Sequence, residues 1–328
     1  MKAVYVNEFG GAENLDFRDV ENPPAPKETQ VLVNIKASAI NRADILQRKG
    51  FYPAPKGFPE RILGLEFAGE VAEIGDAVKT FKTGDRVFGI TGGGANAELI
   101  LAEEPQLAKI PEHLSFAEAA TFPEAFITAY DAVFSQCELK TDETLLIHAV
   151  GSGVGLAALQ LAKAHNIRTI GTSRTKEKLE KCLKFGLDAA IVTGSEPDFS
   201  KSVSEKTGGN GADVILDLVG ASYFDENLKS LAQKGRLILV GLVGGKTAEF
   251  DLGMALGKRA KIIGTVLRAR SNEEKAFVTR EFTENVLPLI ESGKIKSILD
   301  KIFKARDARE AHKYLESNES FGKVVLEF

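Results

Sequence analysis

An apolar run near the middle of the chain ends in three glycines at alternate positions. Its sequence is Leu145-Leu-Ile-His-Ala-Val-Gly-Ser-Gly-Val-Gly155, and an apolar stretch continues to Lys163. This pattern predicts a strand, a tight turn and a helix. Because glycine lacks a side chain and a helix N-terminus presents free N–H groups with a positive dipole, a phosphate can approach such a turn. We predict that the turn binds the pyrophosphate of a dinucleotide.

The spacing of these glycines departs from the common Gly-x-Gly-x-x-Gly fingerprint, which would need glycine in place of Leu156. The turn alone therefore also fits a connection that packs a helix on a strand without a ligand. The surrounding pattern favours the dinucleotide, because apolar β-branched runs alternate with helix-length segments. These runs begin at Leu145, Arg168, Ala189, Asp213, Gly235 and Ala260. Six such strands predict an α/β fold with a doubly wound parallel sheet.

The end of the second strand indicates which dinucleotide binds. An NAD site usually has an acidic residue there, about 20 positions beyond the glycines, that hydrogen-bonds the ribose 2′-hydroxyl. The chain instead has Thr172-Ser173-Arg174 and, one helical turn later, Lys178. A hydroxyl and two cations suit a 2′-phosphate through charge-assisted hydrogen bonds, which favours NADP over NAD. The alternative is that Arg174 and Lys178 belong to an ordinary solvated helix face.

Length and composition are typical of a soluble enzyme with two lobes. The 328 residues exceed one typical domain and suffice for two cores. A net charge of −4 provides no broad basic field, so nucleic acid is not expected as the main partner. Cys137 and Cys182, the two cysteines, suit a reducing compartment. No apolar run reaches eighteen residues and the N-terminus predicts a strand, so we expect a cytoplasmic protein without membrane association.

The first 120 residues predict a compact β-rich lobe. Short β runs separated by turns with proline or glycine fall at 30–36, 66–74, 85–90 and 97–101. Beyond the sixth strand of the nucleotide lobe the pattern predicts a helix, a strand, a helix and a closing strand at 271–293, 299–303, 307–315 and 323–328. One economical arrangement returns this tail to the first lobe.

Several motifs along the chain together resemble one family. They are Ala37-Ser-Ala-Ile-Asn-Arg-Ala-Asp44, Gly64-Leu-Glu-Phe-Ala-Gly-Glu-Val71, Gly84-Asp-Arg-Val87, Ile147-His-Ala-Val-Gly-Ser-Gly-Val-Gly155 and Gly322-Lys-Val-Val-Leu326. The chain resembles, from end to end, the zinc-free quinone oxidoreductase branch of the medium-chain dehydrogenase/reductase superfamily. Pro123-Glu-Ala-Phe-Ile-Thr-Ala129 and Ala311-His-Lys-Tyr-Leu-Glu316, with the Ser-Gly-Val-Gly turn, are most similar to its tumour-suppressor-inducible quinone oxidoreductase subgroup.

The resemblance implies a Rossmann domain inserted into a chaperonin-10-like, β-rich catalytic domain, with NADPH between the two. The implied boundaries are 1–122 for the catalytic domain, 123–265 for the NADPH-binding domain and 266–328 for the return segment. The resemblance also implies a homodimer that pairs the sixth strand of each sheet, with a tetramer as the alternative. The apolar sequence of that strand, Ile262-Ile-Gly-Thr-Val-Leu267, suits such pairing.

Zinc-dependent relatives of this branch bind a catalytic metal through a cysteine, a histidine and an acidic residue. This chain has Asn41 to Asp44 where those relatives have Cys-x-x-Asp/Ser/Thr, and Leu63-Gly-Leu-Glu66 where they have Gly-His-Glu. Two cysteines also rule out the separate four-cysteine structural site of those relatives. We therefore expect no metal, and we expect hydride donation from the nicotinamide to be assisted by polar groups of the protein.

The resemblance places four residues at the reacting end of the site, namely Asn41, Asp44, Tyr52 and Thr128. Tyr52 is expected to donate a hydrogen bond or a proton to a quinone oxygen, while Asn41 and Thr128 orient the carboxamide or ordered water. Other roles remain open. Tyr52, which precedes Pro53, also fits a loop aromatic, the pair Asn41 and Asp44 fits a helix cap, and the helix with Thr128 fits interior packing.

The remaining cofactor contacts are also implied by the resemblance. The pyrophosphate is assigned to Gly151, Ser152, Gly153, Val154 and Gly155, and the 2′-phosphate to Ser173, Arg174 and Lys178. The adenine and ribose are assigned to Val219 and Gly220, and the nicotinamide to Gly241, Leu242, Leu267 and Arg268, with Gly322 and Lys323 reaching in from the tail. One departure is that relatives commonly have Asn-Tyr after the third strand, where this chain has Val192-Thr193.

The leading functional hypothesis is an NADPH-dependent reductase of quinones. A close alternative is reduction of the carbon–carbon double bond of 2-alkenals or enones, which needs the same hydride geometry. A third hypothesis, of a different class, is a nucleotide-bound binding or structural protein without significant turnover. In the first two cases the partner is a small quinone or conjugated carbonyl compound.

Overall fold

A computed structural model describes residues 1–194 and 197–328. They form two compact units, the first made of Met1–Ile127 with Leu267–Phe328 and the second of Thr128–Val266. The segment Pro123–Ile127, assigned above to the nucleotide domain, groups with the first unit, where the Glu124 N–H donates to a Glu66 carboxylate oxygen at 2.8 Å. The chain enters and leaves the second unit once each.

Strands and short helices alternate along most of the chain. In chain order the strands are β1 (Lys2–Val6), β2 (Leu15–Asp19), β3 (Gln30–Ile40), β4 (Glu66–Ile74), β5 (Arg86–Ile90), β6 (Leu99–Glu103), β7 (Leu107–Lys109), β8 (Thr144–Ile147), β9 (Arg168–Ser173), β10 (Ala189–Val192), β11 (Ala212–Asp217), β12 (Leu231–Leu239), β13 (Lys261–Gly264), β14 (Leu299–Lys304) and β15 (Lys323–Glu327). The helices are α1 (Arg42–Arg48), α2 (Phe116–Ala119), α3 (Pro123–Tyr130), α4 (Gly153–Ala164), α5 (Lys176–Lys184), α6 (Ser200–Lys206), α7 (Phe224–Ser230), α8 (Leu252–Lys258), α9 (Asn272–Asn285), α10 (Leu287–Glu291) and α11 (Ala308–Glu316).

The first unit is built on one large sheet. Within the described residues its strand order is β14-β15-β3-β4-β5-β7, with β6 also paired to β3. Inward-facing side chains such as Val33, Ile35 and Phe67 are buried and form its core. β15 pairs antiparallel with β3, with Val325 opposite Ala39. The predicted return of the tail to the first lobe is therefore confirmed, and it brings the start of β15 next to the end of β3.

The second unit is a doubly wound sheet. Its described strands have the order β10-β9-β8-β11-β12-β13, and every pairing is parallel. In sequence terms this order is 3-2-1-4-5-6, which is the Rossmann arrangement with its switch point between the first and fourth strands. The central strand β8 is buried along its whole length, as a sheet covered on both faces requires. The predicted fold class is confirmed.

The structure corrects one predicted helix. The stretch 271–293 is not a single helix but two, α9 and α10, which meet at Val286. Pro288 lies in the first turn of α10, where no backbone N–H is needed for a helical hydrogen bond. In the middle of one continuous helix the same proline would remove a hydrogen bond and break the helix. Among the described residues no helix is both long enough and apolar enough to cross a lipid bilayer.

Candidate active site and dinucleotide-binding residues

A buried ion pair lies at the centre of the first unit. Lys323, the first residue of β15, places its ammonium 2.6 Å from a carboxylate oxygen of Glu66, the first residue of β4. Their side chains are 4% and 0% exposed. Asn41 follows the strand between them, donates its amide N–H to the same Glu66 oxygen at 2.8 Å and accepts a hydrogen bond from Lys323. The order β15-β3-β4 brings these three residues together.

The second oxygen of Glu66 binds the start of α3. It accepts the backbone N–H of Glu124 at 2.8 Å. The carboxyl of Glu124 itself has its pKa raised to about 8, first by burial and then by the negative charge of Glu66. The raised pKa favours the protonated carboxyl at neutral pH. Sequence reasoning missed both acids as site residues, although Glu66 stood out where zinc-dependent relatives have a ligand.

Asp44 is fully buried and holds the start of α1. Its two oxygens accept the backbone N–H groups of Asn41 at 2.7 Å and of Gly64 at 2.8 Å. Burial raises the pKa of Asp44 to about 6, although these two hydrogen bonds oppose the rise. The helix-cap role left open by the sequence is thus present for Asp44. A direct role of Asn41 or Asp44 in the reaction stays a prediction.

Arg268 is buried and holds the segment that carries Tyr52. Its guanidinium donates to the carbonyl oxygens of Gly92 at 2.8 Å and Tyr52 at 3.1 Å, and to the side-chain oxygen of Gln47. It also lies 5.0 Å from the centre of the Tyr52 ring. Burial raises the pKa of the Tyr52 phenol, which keeps it protonated as a donor. These hydrogen bonds use three of the five guanidinium N–H groups, and the contact of Arg268 with a nicotinamide stays a prediction.

Two further residues from the tail have internal partners. The ammonium of Lys323 forms an ion pair with Glu66 and donates a hydrogen bond to Asn41, as described above. Gly322 has a φ of +101°, and a Cβ added there would lie 2.1 Å from the carbonyl oxygen of Ile298. The close approach explains the glycine without a ligand. The predicted cofactor contacts of both residues therefore remain predictions, as does that of the buried Leu267.

The glycine turn of the second unit forms the start of α4 as predicted. The Ser152 hydroxyl accepts the N–H of Gly155 at 3.2 Å and its carbonyl accepts the N–H of Leu156 at 2.8 Å. Within the described chain this leaves the N–H groups of Gly153 and Val154 at the helix start for an anion. A Cβ on Gly155 would lie 2.6 Å from the Ala149 carbonyl, so only glycine allows this approach of helix and turn. The turn fits a phosphate.

A network of hydrogen bonds that joins a neutral histidine to a buried aspartate lies behind this turn, at the switch point of the sheet. The two ring nitrogens of His148, just after β8, bind the Thr172 hydroxyl at 2.9 Å and the side-chain oxygen of Asn227. Asn227 donates to Asp217 at 3.0 Å. Burial lowers the pKa of His148 to about 4, so the ring is neutral at neutral pH. The histidine thus supports the turn through its side chain.

The far side of the same network fixes the loop after β11. Asp217 accepts the N–H groups of Val219 at 2.7 Å and Gly220 at 2.9 Å through its other oxygen. Gly220 has a φ of +89°, which favours glycine. Because Asp217 and His148 are both fully buried, the loop that carries Val219 and Gly220 is held to the ends of β8 and β9. The predicted ribose-side residues thus have a rigid support.

The residues predicted for the 2′-phosphate lie together after β9. Ser173 ends the strand and is 9% exposed, Arg174 is exposed, and Lys178 is partly buried in the first turn of α5.

The residues predicted for the nicotinamide side lie on other elements. Gly241 and Leu242 follow β12, and a Cβ on Gly241 would lie 2.7 Å from the Leu218 carbonyl. Thr128 is partly buried within α3. Their cofactor contacts stay predictions.

The described residues contain no group of three or more histidine, cysteine, aspartate or glutamate side chains arranged to hold a metal ion. At the positions of the zinc motifs compared above, this chain has Asn41, Leu65 and Glu66, and Glu66 is paired with Lys323. The Asn41 amide, the Glu66 carboxylate and the Lys323 ammonium bind one another through hydrogen bonds and an ion pair. Such a set does not match the nitrogen and sulfur ligands that zinc prefers.

Both units match sequence families. The family "Alcohol dehydrogenase GroES-like domain" matches residues 27–128, and the family "Zinc-binding dehydrogenase" matches residues 153–284. Quinone oxidoreductase from Homo sapiens is 31% identical, over 99% of this chain and 97% of its own length. Quinone oxidoreductase from Pseudomonas aeruginosa is 32% identical, over 99% of both chains.

Solved structures share the fold of the whole chain. A mycobacterial protein complexed with NADPH is 30% identical with a TM-score of 0.89, covering 100% of both chains. An NAD-dependent alcohol dehydrogenase is 31% identical with a TM-score of 0.88, also covering 100% of both chains. The JamJ enoyl reductase is 26% identical with a TM-score of 0.88, covering 99% of this chain and 98% of its own.

Fold and sequence together define an oxidoreductase of the medium-chain dehydrogenase/reductase superfamily, with a GroES-like unit and a Rossmann unit. Within that superfamily the chain belongs to the quinone oxidoreductase branch, as the end-to-end relatives show. The resemblance drawn from the motifs is therefore confirmed at the level of the branch. The closer similarity to the tumour-suppressor-inducible subgroup stays a prediction.

We expect Lys323→Met to destabilise the protein by about 3–5 kcal/mol, because it leaves the Glu66 carboxylate buried without its counter-charge. The double variant Glu66→Gln, Lys323→Met should recover part of this loss. Urea denaturation at neutral pH measures both effects. Lys304→Met, which removes an exposed ion pair with Glu327, is the matched control and should change the free energy of unfolding by at most about 1 kcal/mol. An equal loss in both lysine variants would contradict the importance of the buried pair.

Proposed function

We propose that the protein is a zinc-independent oxidoreductase that transfers hydride from NADPH to quinones. The observation that carries the proposal is the end-to-end similarity to proteins named quinone oxidoreductase, at 30–32% identity. The substrate is a small molecule, and the closed arrangement of Glu66, Lys323 and Asn41 supports a reaction assisted by protein groups rather than by zinc. The cytoplasmic location remains a prediction.

The nicotinamide supplies the hydride when the cofactor is bound. The pyrophosphate would lie on the N–H groups of Gly153 and Val154, between Gly151 and Gly155, at the positive end of α4. No acidic residue occupies the first turn of this helix. Ser173, Arg174 and Lys178 would hold the 2′-phosphate, while Val219 and Gly220 would line the ribose on the loop fixed by Asp217.

At the reacting end, Tyr52 would donate a hydrogen bond to the substrate oxygen, since its phenol stays protonated. Arg268 sets the position of this residue through the Tyr52 carbonyl and the face of the ring. Asn41 and Thr128 would orient the carboxamide or an ordered water. Asp44 would act indirectly, by holding the backbone of Asn41.

The preference for NADPH is tested at the end of β9. We expect Arg174→Ala to weaken NADPH binding about tenfold or more, because a charge-assisted hydrogen bond to the 2′-phosphate is lost, and to leave NADH binding unchanged. Fluorescence titration of each nucleotide measures the two dissociation constants. Lys184→Ala, an exposed change near the end of the same helix α5, is the control. An equal loss for NADPH and NADH would argue against a 2′-phosphate site here.

The substrate class is tested by turnover. We expect NADPH oxidation with simple quinones at a kcat/KM at least about tenfold above that with 2-alkenals. The similarity to an enoyl reductase makes 2-alkenals and enones the second candidate, since the same hydride geometry serves both. Faster turnover of alkenals would reverse the ranking. Tight NADPH binding without turnover of either class would instead support a binding or structural protein.

We further propose a homodimer that pairs β13 of two chains. Among the strands that the structure describes, β13 pairs with β12 alone, so one of its edges has unpaired backbone groups, and Ile262 on this strand is 40% exposed. In the neighbouring helix α8, Leu252 and Leu256 are 73% and 79% exposed. An edge strand with such apolar neighbours is suited to pairing with a second copy.

Replacing Ile262 by lysine should shift the protein from dimer to monomer, because a charge would be placed within the paired edge. Sedimentation velocity measures the mass relative to the 35.4 kDa of one chain. Ile302→Lys is the matched control, since Ile302 is 41% exposed on β14, the edge strand of the other sheet. A wild-type protein that sediments as a monomer would exclude the dimer, and a tetramer would show that a second surface takes part.

A further inference from the structure

Lys275 is a buried cation without a counter-charge. It lies near the start of α9 and is 2% exposed, yet its ammonium forms neither an ion pair nor a hydrogen bond with another residue of the described chain. The contact that it does make is with an aromatic ring, since the ammonium lies 4.9 Å from the centre of the Phe58 ring. Because buried charges are normally paired, this ammonium would gain from an anion that the described chain does not supply.

The end of the Lys275 side chain stays open to solvent. The ammonium nitrogen is not one of the fully enclosed polar atoms without a partner, so the small exposed surface of Lys275 includes its charged end. Lysine commonly buries its apolar stem in this way while the ammonium reaches water. Phe58 beside it is also only partly buried. A ligand can therefore reach the ammonium along the face of Phe58.

Arg268 is a second buried cation on the same aromatic side chain. It is 3% exposed, and within the described chain it forms no ion pair with a carboxylate. The Phe58 ring packs on Gly92, whose carbonyl accepts the Arg268 Nε–H, and a Cβ added to Gly92 would lie 2.5 Å from this ring. A Cβ added to Gly93 would lie 3.5 Å from Cβ of Phe58 and 3.6 Å from Nη2 of Arg268. Two unpaired cations thus meet around Phe58.

The segment that carries Tyr52 and Phe58 is held at both ends. Arg268 donates to the Tyr52 carbonyl at 3.1 Å, and the side-chain amide of Gln47 donates to the Glu60 carbonyl at 2.8 Å. Gln47 is 1% exposed and itself accepts a hydrogen bond from Arg268. One hydrogen-bonded pair therefore fixes the two aromatic residues before a ligand binds, which lowers the entropy lost on binding.

Glu124 does not serve as the missing counter-ion. Burial lowers the pKa of the Lys275 ammonium, the charge of Glu124 opposes this fall, and the charge of Arg268 adds to it. Within the part of the chain that the structure describes, no ion pair joins Lys275 to Glu124. The raised pKa of Glu124, about 8, also favours its uncharged form at neutral pH.

We propose that Lys275 and Arg268 form an anion-binding subsite, so that the preferred quinones carry a carboxylate or a similar acidic group. The inference rests on the proposed function, because it takes the ligand to be the substrate that Tyr52 is proposed to bind. The planar quinone ring would lie against Tyr52 and Phe58, and its acidic substituent would pair with the Lys275 ammonium. Arg268, whose hydrogen bonds hold the protein, would add its positive charge.

Binding is tested first, on the full chain without NADPH. The probes are a 1,4-naphthoquinone with a carboxyethyl side chain and its methyl ester, which share one ring system and differ in charge. We expect the wild type to bind the acid at least about tenfold more tightly than the ester, because the acid forms a buried ion pair. Lys275→Met should remove this preference by weakening the binding of the acid alone. Isothermal titration calorimetry measures the dissociation constants.

Two further variants separate the charge of Lys275 from a structural role. Lys275→Arg should keep part of the preference for the acid, since it keeps the cation. Lys294→Met, the same change as Lys275→Met at an exposed lysine after α10, should leave both dissociation constants unchanged. The thermal midpoint of Lys275→Met should equal or exceed that of the wild type, because no residue loses a counter-charge. A lower midpoint with an unchanged preference for the acid would show a structural role and overturn the proposal.

The outcomes distinguish the subsite from the proposed function. Equal binding of acid and ester by the wild type, or a preference that survives in Lys275→Met, would overturn the subsite. If NADPH is oxidised by neutral quinones in that case, the proposed function still stands. If the acid is preferred through Lys275 but NADPH reduces neither compound, the subsite stands and the proposed quinone reduction fails.

Discussion

The ion pair between Glu66 and Lys323 is the interaction on which the first unit depends. Charges attract strongly where water is excluded, but they repay their desolvation only if each remaining polar group is also bonded. Asn41 and the N–H of Glu124 complete that requirement for Glu66. One carboxylate thereby fixes the end of β3 and the starts of β4, β15 and α3. The candidate reacting groups are arranged around this fixed point.

The second unit uses a hydrogen-bond network around a neutral histidine rather than a buried ion pair. His148 is neutral because burial lowers its pKa, so its ring has one donor and one acceptor nitrogen for Asn227 and Thr172. Through Asp217 the network reaches the loop at Gly220. The loops after three neighbouring strands are therefore held before any ligand binds. Such preorganisation lowers the entropy lost on binding a phosphate.

Sequence patterns predicted the parts of this protein that depend on local chemistry. The central strands of the second sheet, such as β8, are buried on both faces and therefore have apolar sequences, and the turn before α4 needs glycine at Gly155 for steric reasons. The pairing of Glu66 with Lys323 joins residues from opposite parts of the chain, and no spacing rule connects them. The raised pKa of Glu124 depends on its surroundings and has no signal in the local sequence. The break between α9 and α10 has a local signal in Pro288, since proline begins a helix more readily than it continues one.

The return of the tail to the first unit also determines when that unit can finish folding during synthesis. Thr128–Val266 is one continuous segment, so the second unit can fold as soon as it has been made. The first unit is completed later, because β15 is made after the whole second unit. Until then β3 lacks one of its neighbours and Glu66 lacks its cation. The unpaired edge of β3 is then open to other strands. We therefore expect this incomplete sheet to be the stage of synthesis that is most open to wrong strand pairing.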